Sequence, residues 1–381
     1  MRLHVDQRHE RVLELVRERG SLRVSDLAAE LGVSAVTLRR DVETLAAQGR
    51  VHRMHGSVVW PGGEPSGEPS GEPKAGCAET GGAVIGMIVP TTNFIFADIV
   101  RGARDAVEVQ GGRLVLGMSG YLDTEDPVQA EHLLAGGADG LLAAPSWFGG
   151  VPAGGQEKWL LECGAPVVLV ERWAPPGNPA AGFDRVRTDR AHGAAVALGH
   201  FASLGHRKVT AVVQEGPHAA QITAGYRAAV EAHGLVPAPG SPFTMATDRD
   251  SQARYDALAA HLADAVTRHG VTAALVHSDE DAIVLVPKLQ SKGISVPGDL
   301  AIVAYDDEVA SLADVPLTAV APPKRSVGEL AAKLLLQRIA ERDGGRQPMP
   351  RQHLDLLPEL RVRASCGSAP GGADGTQVRS D

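Results

Sequence analysis

The sequence predicts an α/β protein: a two-lobed, Rossmann-like body preceded by a small winged helix-turn-helix head. Three observations carry this. The first 60 residues read as short helices closed by glycines and followed by a two-stranded wing. From Ala83 onward, short apolar strands alternate with amphipathic helices. Between them Gly62–Gly76 reads GGEPSGEPSGEPKAG, which has almost nothing apolar to bury. The boundaries follow: head 1–60, linker 61–80, body 81–364 and a Gly/Ser/Ala-rich disordered tail 365–381.

In the head, Arg8–Arg19 places Val12, Leu15 and Val16 on one stripe with the 3.6-residue period of a helix, stopped at Gly20. Asp26–Leu31 repeats the pattern with Leu27, Ala28 and Leu31, stopped at Gly32. Ser34 is a good N-cap for Ala35–Gln48, whose Val36, Val42, Leu45 and Ala46 face inward and whose end is marked by Gly49. Arg50–Trp60 then reads as two short strands about a His-Gly turn. Helix, helix, glycine turn, helix and wing is the layout of a winged helix-turn-helix.

Charge divides along the same line. Met1–His55 carries ten Arg against eight acids, so it is +2 while the remainder is −11. A basic module on an acidic body points to a nucleic-acid-facing end, although arginines on a small helical unit also serve simply as a solvated face. The GEPS run cannot offset its ordering entropy by burial and is expected to be a semi-extended linker.

The body offers strands at AVIGMIVP, RLVLGM, DGLLAAP, APVVLVE, KVTAVVQ, TAALVHS and LAIVAYDD. Helices fall at Ala97–Gly111, Pro127–Gly136, Glu157–Cys163, Arg190–Leu204, Ala220–His233, Gln252–His269, Asp281–Gly293 and Ser326–Asp343. Repeated βα units imply parallel sheets with helices on both faces, and two such half-chains suit two lobes around a cleft. Ligands in such sheets sit beyond the carboxyl ends of strands, so the residues just after each strand are the informative ones.

No apolar run reaches the ~18 residues that cross a bilayer. The charged N-terminus has no signal-peptide core, and a cytoplasmic location is expected. Cys77, Cys163 and Cys366 are odd in number and widely spaced, which excludes a disulfide framework and a cysteine-built zinc site. No hydrolase elbow, phosphate loop or metalloprotease motif is present, and GGAVIG lies before and inside the first strand rather than after it. No catalytic residue, metal or cofactor is therefore expected.

RHERVLELVRERGSLRVSDLAAELGVSAVTLRRDVETLAAQGRVHRMHGSVV resembles the DNA-binding head of the DeoR-type bacterial repressors over nearly its whole length. The resemblance implies that the second helix of the motif enters the major groove of operator DNA. Its first turns offer Ser34, Ala35, Thr37 and Leu38, then Arg39 and Arg40. Small residues permit close approach, and the arginines can read guanine or neutralise phosphate, or pair with Asp41 or Glu43 instead. Arg50, Arg53 and His55 in the wing are phosphate or minor-groove candidates.

The body is similar to the effector domain of the LacI family, itself like periplasmic sugar-binding proteins. The phrases that carry this are IGMIVPTTNFIFADIVRGA, ADGLLAAP, APVVLVERW, FDRVRTDRAHGAAVALGHFASLGHRKVTAV, the run from HSDEDAIVLVPKLQ to LADVPLTAV, and LPELRVRAS. The resemblance implies a homodimer that senses a sugar-like small molecule and controls DNA binding, most simply as a repressor. Carried over position by position, Asn93 and Phe96 contribute from the first lobe, an amide and a flat ring face. Ser278 and Asp306 contribute from the second, with Asp306 accepting from paired hydroxyls. Arg172, Asp189, Asp123 and Lys324 are further cleft candidates. His206 and Arg207 read as a structural helix-to-strand turn.

Three departures bear on the pocket. Phe94 and Ile95 replace the family's Pro and Phe after Asn93, and Ile222 stands where the family carries an arginine three residues before Gly225. Lys324 occupies a position where the family often has a polar or aromatic pocket residue. They imply a different ligand from a simple hexose, or a degenerate pocket. A sugar-processing enzyme and a transport binding protein are the competing readings; the lack of catalytic motifs argues against the first, and the missing signal peptide and the DNA-binding head against the second.

Overall fold

A computed structural model describes residues 5–19, 21–23, isolated positions between 27 and 50, 52–54, 57–59, 82–93, 95–245, 252–344 and 347–367. The chain forms two units, 1–79 and 80–381.

In the first unit, α1 (Val5–Arg19) buries Val12, Leu13, Leu15 and Val16. They meet Leu27, Leu38, Val42 and Leu45, with Leu31 packed against them. Leu38 is fully buried, a correction to its expected place on the base-facing side. Leu38, Val42 and Leu45 stand at i, i+4 and i+7, so one helical stripe collects all three in the core. Val36 and Ala46 lie outside the described residues. The wing strands β2 (His52–Met54) and β3 (Ser57–Val59) form as expected, joined by β1 (Ser21–Arg23), which the sequence reading did not assign. The three make an antiparallel sheet in the order β1-β3-β2. The 61–80 linker lies outside the described residues.

The second unit holds two sheets. Lobe 1 contains β4 (Val84–Val89), β5 (Arg113–Met118), β6 (Gly140–Ala143), β7 (Val167–Val170), β8 (Asp184–Thr188) and β15 (His353–Leu356). They run all-parallel in the order β15-β8-β7-β6-β4-β5. Its helices are α2 (Ile95–Val109), α3 (Glu125–Ala135), the short α4 (Lys158–Glu162) and, from later in the chain, α9 (Lys324–Arg342). The sheet's two faces carry separate cores, one under α2 and α9 and one around Trp147 and Leu160.

Lobe 2 contains β9 (Lys208–Gln214), β10 (Val236–Pro237), β11 (Phe243–Met245), β12 (Ala273–His277), β13 (Ala301–Tyr305), β14 (Thr318–Ala321) and β16 (Glu359–Arg361). The order is β10-β9-β12-β13-β14-β16, with β11 also on β9; only β16 is antiparallel to its neighbour. Helices α5 (Arg190–Ser203) and α6 (Ala219–Ala232) cover one face. Helices α7 (Gln252–His269) and α8 (Asp279–Ser291) cover the other.

The lobes are not successive half-chains. The chain crosses between them three times: from β8 to α5, from β14 to α9, and from β15 to β16. The late helix α9 returns to lobe 1 because it lies very close against α2. A β-carbon on Gly102 would overlap the Arg325 carbonyl, and one on Gly328 would overlap that of Ile99. The three crossings join the lobes, and the ends of their strands converge on a cleft.

One boundary is corrected. Ser365 and Cys366, expected in the tail, are buried in a short 3₁₀ turn on lobe 2 (Ala364–Cys366). Ser365 Oγ donates to the Ile302 carbonyl at 2.6 Å and accepts from Thr318 N–H at 2.8 Å. A small hydroxyl that satisfies two backbone groups at a strand end is part of the fold. Residues 368–381 lie outside the described residues.

Candidate functional site

A cavity of about 510 Å³ lies between the lobes. Lobe 1 lines it with Ile95 and Phe96 from the start of α2, Tyr121 after β5, Ser146, Trp147 and Phe148 after β6, and Arg172 after β7. Lobe 2 supplies Gln214–His218 after β9, His277–Glu280 after β12, and Asp306 and Glu308 after β13. Both walls are thus built from strand ends, where parallel sheets collect ligands. Tyr121, Glu171, Asp306 and Asp307 adopt left-handed backbone (φ 65°, 54°, 90° and 51°), all just beyond strands that face the cleft. Such conformations cost free energy in non-glycine residues and concentrate at functional sites.

The floor is a buried charge network. Arg190 Nη1 donates to Asp306 Oδ1 at 2.5 Å, and Arg190 Nη2 lies 3.7 Å from Glu171. His277 Nε2 is 3.5 Å from the second Asp306 oxygen. Burial pushes the Asp306 pKa upward, but the Arg190 charge and the His277 contact outweigh it and hold the carboxyl far below its ordinary range. Tyr305 supports Arg190 from below, its ring 5.5 Å from the guanidinium and its hydroxyl donating to the Arg190 carbonyl at 3.0 Å. Glu171 is fixed in turn by Thr188, whose N–H and hydroxyl donate to Oε1 at 3.1 and 2.7 Å.

Around this floor the polar groups are differently constrained. Arg172 is buried, donating from Nε to the Pro145 carbonyl (2.6 Å) and from Nη1 to that of Glu171 (3.0 Å). Burial lowers its pKa to about 10, opposed by Glu171, so it stays cationic at neutral pH. Ser146 is held by Asp126, which accepts from its N–H (2.6 Å) and hydroxyl (3.2 Å). His218 is kept neutral, its pKa driven well down by burial and then by Arg190 and Arg172. Asp279 is 1% exposed; Oδ2 accepts from Val309 and Ala310 N–H at 2.7 and 3.0 Å, while Oδ1 has no partner.

Of the ligand candidates read from the sequence, the cavity brings together Phe96, Arg172, Ser278 and Asp306. Asn93 is exposed and off the cavity wall, its N–H turned to Thr91 Oγ1 at 3.2 Å, because the turn after β4 points it outward. Asp189 caps α5 by accepting from His192 N–H at 2.9 Å and does not line the cavity. Lys324 is also off the wall: it starts α9 at the second crossing, pairs with Glu308 and borders a separate polar depression of about 220 Å³. The exposed Asp123 accepts from Gln156 at 2.7 Å. Ile222 is wholly buried in the lobe 2 core, and the Gln221 amide lies against Trp173 Nε1 and Arg187 Nη1, from which its oxygen accepts once the amide is turned over, so neither replaces the family's arginine. His206 sits at a structural turn, bonded to Thr272 Oγ1 at 2.8 Å.

Sequence reasoning missed Arg190, Glu171, His277, Asp279 and the aromatic wall of Tyr121, Trp147 and Phe148. For Arg190 a signal existed: it follows the alternating DRVRT, which forms β8. The DNA candidates Ser34, Ala35, Thr37, Arg39, Arg40 and His55 lie outside the described residues, and of Arg53 only its place on β2 is described. Among the described residues no group of three or more His, Cys, Asp or Glu side chains is placed to hold a metal, and no helix is long and apolar enough to cross a membrane.

Comparison with known proteins agrees with both units. Residues 8–62 match the DeoR-like helix-turn-helix domain, and residues 198–366 match the periplasmic binding protein-like domain. The chain is 26% identical over 322 residues to the arabinose metabolism transcriptional repressor of Geobacillus stearothermophilus, covering 83% of this chain and 84% of that one. It is 26% identical over 291 residues to the ribose operon repressor of Escherichia coli K12, covering 74% and 81%. The solved transcriptional regulator CelR–cellobiose complex shares the fold, with a TM-score of 0.62 at 23% identity over 87% of this chain and 91% of that one. The chain is a ligand-responsive, DNA-binding transcriptional regulator that joins a DeoR-type helix-turn-helix head to a LacI-type, periplasmic-binding-protein-like body.

Proposed function

We propose that this regulator is a cytoplasmic, homodimeric, non-enzymatic repressor that binds operator DNA through its heads and releases it when a sugar-like molecule enters the interlobe cleft. Ser34, Ala35, Thr37, Arg39, Arg40, Arg53 and His55 form the DNA-contacting set in this reading, and Phe96, Arg172, Ser278 and Asp306 the ligand-contacting set. The observation that carries it is the cavity itself, walled on both sides by strand-end residues of a body joined to a DNA-binding head. The names of the relatives support a sugar: one repressor of arabinose metabolism, one of a ribose operon.

The switching physics is a two-state equilibrium of the lobes. A ligand changes DNA affinity only by its differential affinity for the two arrangements. The three crossings give those arrangements a common axis, and a change in lobe angle alters the spacing of the heads that a dimer presents to two half-sites. Where LacI-type proteins carry a hinge helix, this chain has the GEPS run, so the bodies act on the heads chiefly through their effective concentration at paired half-sites.

The test is fluorescence anisotropy with a fragment of the gene's own promoter, titrated with the full-length protein and then with arabinose, ribose and cellobiose. Tight, salt-sensitive binding relieved by one sugar is the expected result. Binding that no sugar alters removes the sugar; turnover of a sugar without DNA affinity removes the repressor.

A further inference from the structure

The charged groups on the cleft wall are engaged within the chain. Arg172 donates to two backbone carbonyls, Asp306 holds Arg190, Glu308 holds Lys324, and Asp279 accepts from two backbone N–H groups. Glu280 has a partner in the chain as well. Among the described Asp, Glu, Lys and Arg side chains of the wall, the exposed Glu215 is the exception.

Two uncharged side chains at the end of β9 stand differently. Gln214 is 8% exposed and lies on the cavity wall, yet its amide makes no hydrogen bond among the described residues. A polar group so nearly buried is ordinarily bonded, so an open one marks a missing partner. His218, on the same wall, makes no side-chain hydrogen bond among the described residues either. Burial, and then Arg190 and Arg172, keep its ring neutral. An amide and a neutral imidazole each present a donor and an acceptor. The lobes touch beside them: a β-carbon on Gly150 of lobe 1 would overlap the Pro217 carbonyl of lobe 2. Gln214 and His218 flank that contact on one side, and two residues before it on the other stands Phe148, a lining ring that is 66% exposed.

Resting on the sugar-sensing reading above, we infer that Gln214 and His218 select the effector, and that it is an uncharged ring bearing two adjacent free hydroxyls, with one face on Phe148. A hydroxyl both donates and accepts, so a neighbouring pair of them complements an amide beside an imidazole. A site built to hydrogen-bond a hydroxyl rejects the analogue that lacks it, because its own polar groups are then left unpaired. The ring of Phe148 supplies the flat apolar surface on which the C–H face of a saturated ring lies. A phosphate group finds the one cation of the wall, Arg172, already donating to carbonyls.

The experiment is a titration of the full-length protein by thermal shift and calorimetry near neutral pH. The probes are ribose, glucose and adenosine, each beside the forms that lack one ring hydroxyl and beside its phosphate ester. At least one parent should raise Tm, and loss of either hydroxyl of one adjacent pair should weaken its binding about tenfold. A response to ribose or glucose supports the inference with a free sugar, and one to adenosine with the ribose of a nucleoside. Gln214→Met, which keeps the length of the side chain, and His218→Phe should each weaken the parent about tenfold and leave the matching deoxy form unchanged. The deoxy series needs no substitution, so it decides the hydroxyl pair even where a variant fails to fold. Deoxy forms that all bind like their parents overturn the pair while leaving the sugar reading intact. Variants that keep the full preference for parent over deoxy form overturn the assignment of Gln214 and His218. A phosphate ester that binds tighter than its parent, or no shift with any probe, also overturns the inference, and promoter release by other sugars then decides the sugar reading separately.

Discussion

Arg190 and Asp306 meet at 2.5 Å beneath the cleft, one at the first crossing between the lobes and the other at the end of the central lobe 2 strand. The same guanidinium lies 3.7 Å from Glu171 of lobe 1, so a single cation bridges the two lobes. Asp306, which the family resemblance marks as the acceptor for ligand hydroxyls, thus has an acceptor role inside the chain before any ligand arrives. In the proposed ligand set, recognition and the joint between the lobes would fall on one residue.

Asp306→Asn should therefore destabilise the body before it alters effector response. Removing one partner of a buried pair leaves an uncompensated charge, at about 3–5 kcal/mol. Arg190 retains Glu171, so the lower end of that range is expected. Urea unfolding of the variant, followed with a double-mutant cycle against Arg190→Gln, reads the coupling. A cycle showing no coupling, with normal stability for both single variants, would mean the pair does not hold the joint.

Gly102→Ala and Gly328→Ala act at the α2–α9 contact. Each adds a β-carbon where the facing helix presents a backbone carbonyl, which cannot rotate away as a side chain can. Overpacking costs of about 1–3 kcal/mol are expected for each, and less than additive loss for the pair once the helices have separated. Thermal unfolding of the three variants checks this.

Most of the strands legible in the sequence are buried on both faces, although the edge strand β5 was legible too and the short buried β14 was not. Val84–Val89, Val167–Val170 and Ala301–Tyr305 are nearly continuous apolar runs, as parallel central strands must be. Strands β8, β15 and β16 were missed because DRVRT, HLDL and ELR alternate charge with apolar residues. Their charges are absorbed by tertiary partners that no local pattern encodes. Asp184, wholly buried, takes Arg338 from 154 residues away, and Arg187 takes Asp355. Missing β8 hid the strand-end position of Arg190 and made the lobes look like successive halves. Lys324 followed a strand and looked like a pocket residue, but the second crossing carries it behind Glu308. Ser365 and Cys366 have the composition of a tail and the burial of a core.

Arg39→Ala and Arg40→Ala test the head. Each phosphate contact that is lost should flatten the plot of log K against log salt by about 0.9. A base-reading arginine instead loses about 1–3 kcal/mol on the cognate site and relaxes specificity at one position. Anisotropy titrations at several salt concentrations, on promoter and scrambled DNA, separate the two roles. Affinity and slope unchanged in both variants would take the pair out of the interface.

Asp279 gives the cleft a pH dependence of definite sign. Burial raises its pKa from 3.8 to about 6; the Val309 N–H opposes that rise and the Asp306 charge adds to it. The folded state therefore holds a proton that the unfolded chain has already released, and between these two values stability falls as pH rises. Urea unfolding at several pH values between about 4 and 7 should show that fall. The control is Asp279→Asn, which should remove it. Stability that does not fall across this range in the unsubstituted protein would show that the folded chain releases the Asp279 proton as readily as the unfolded one.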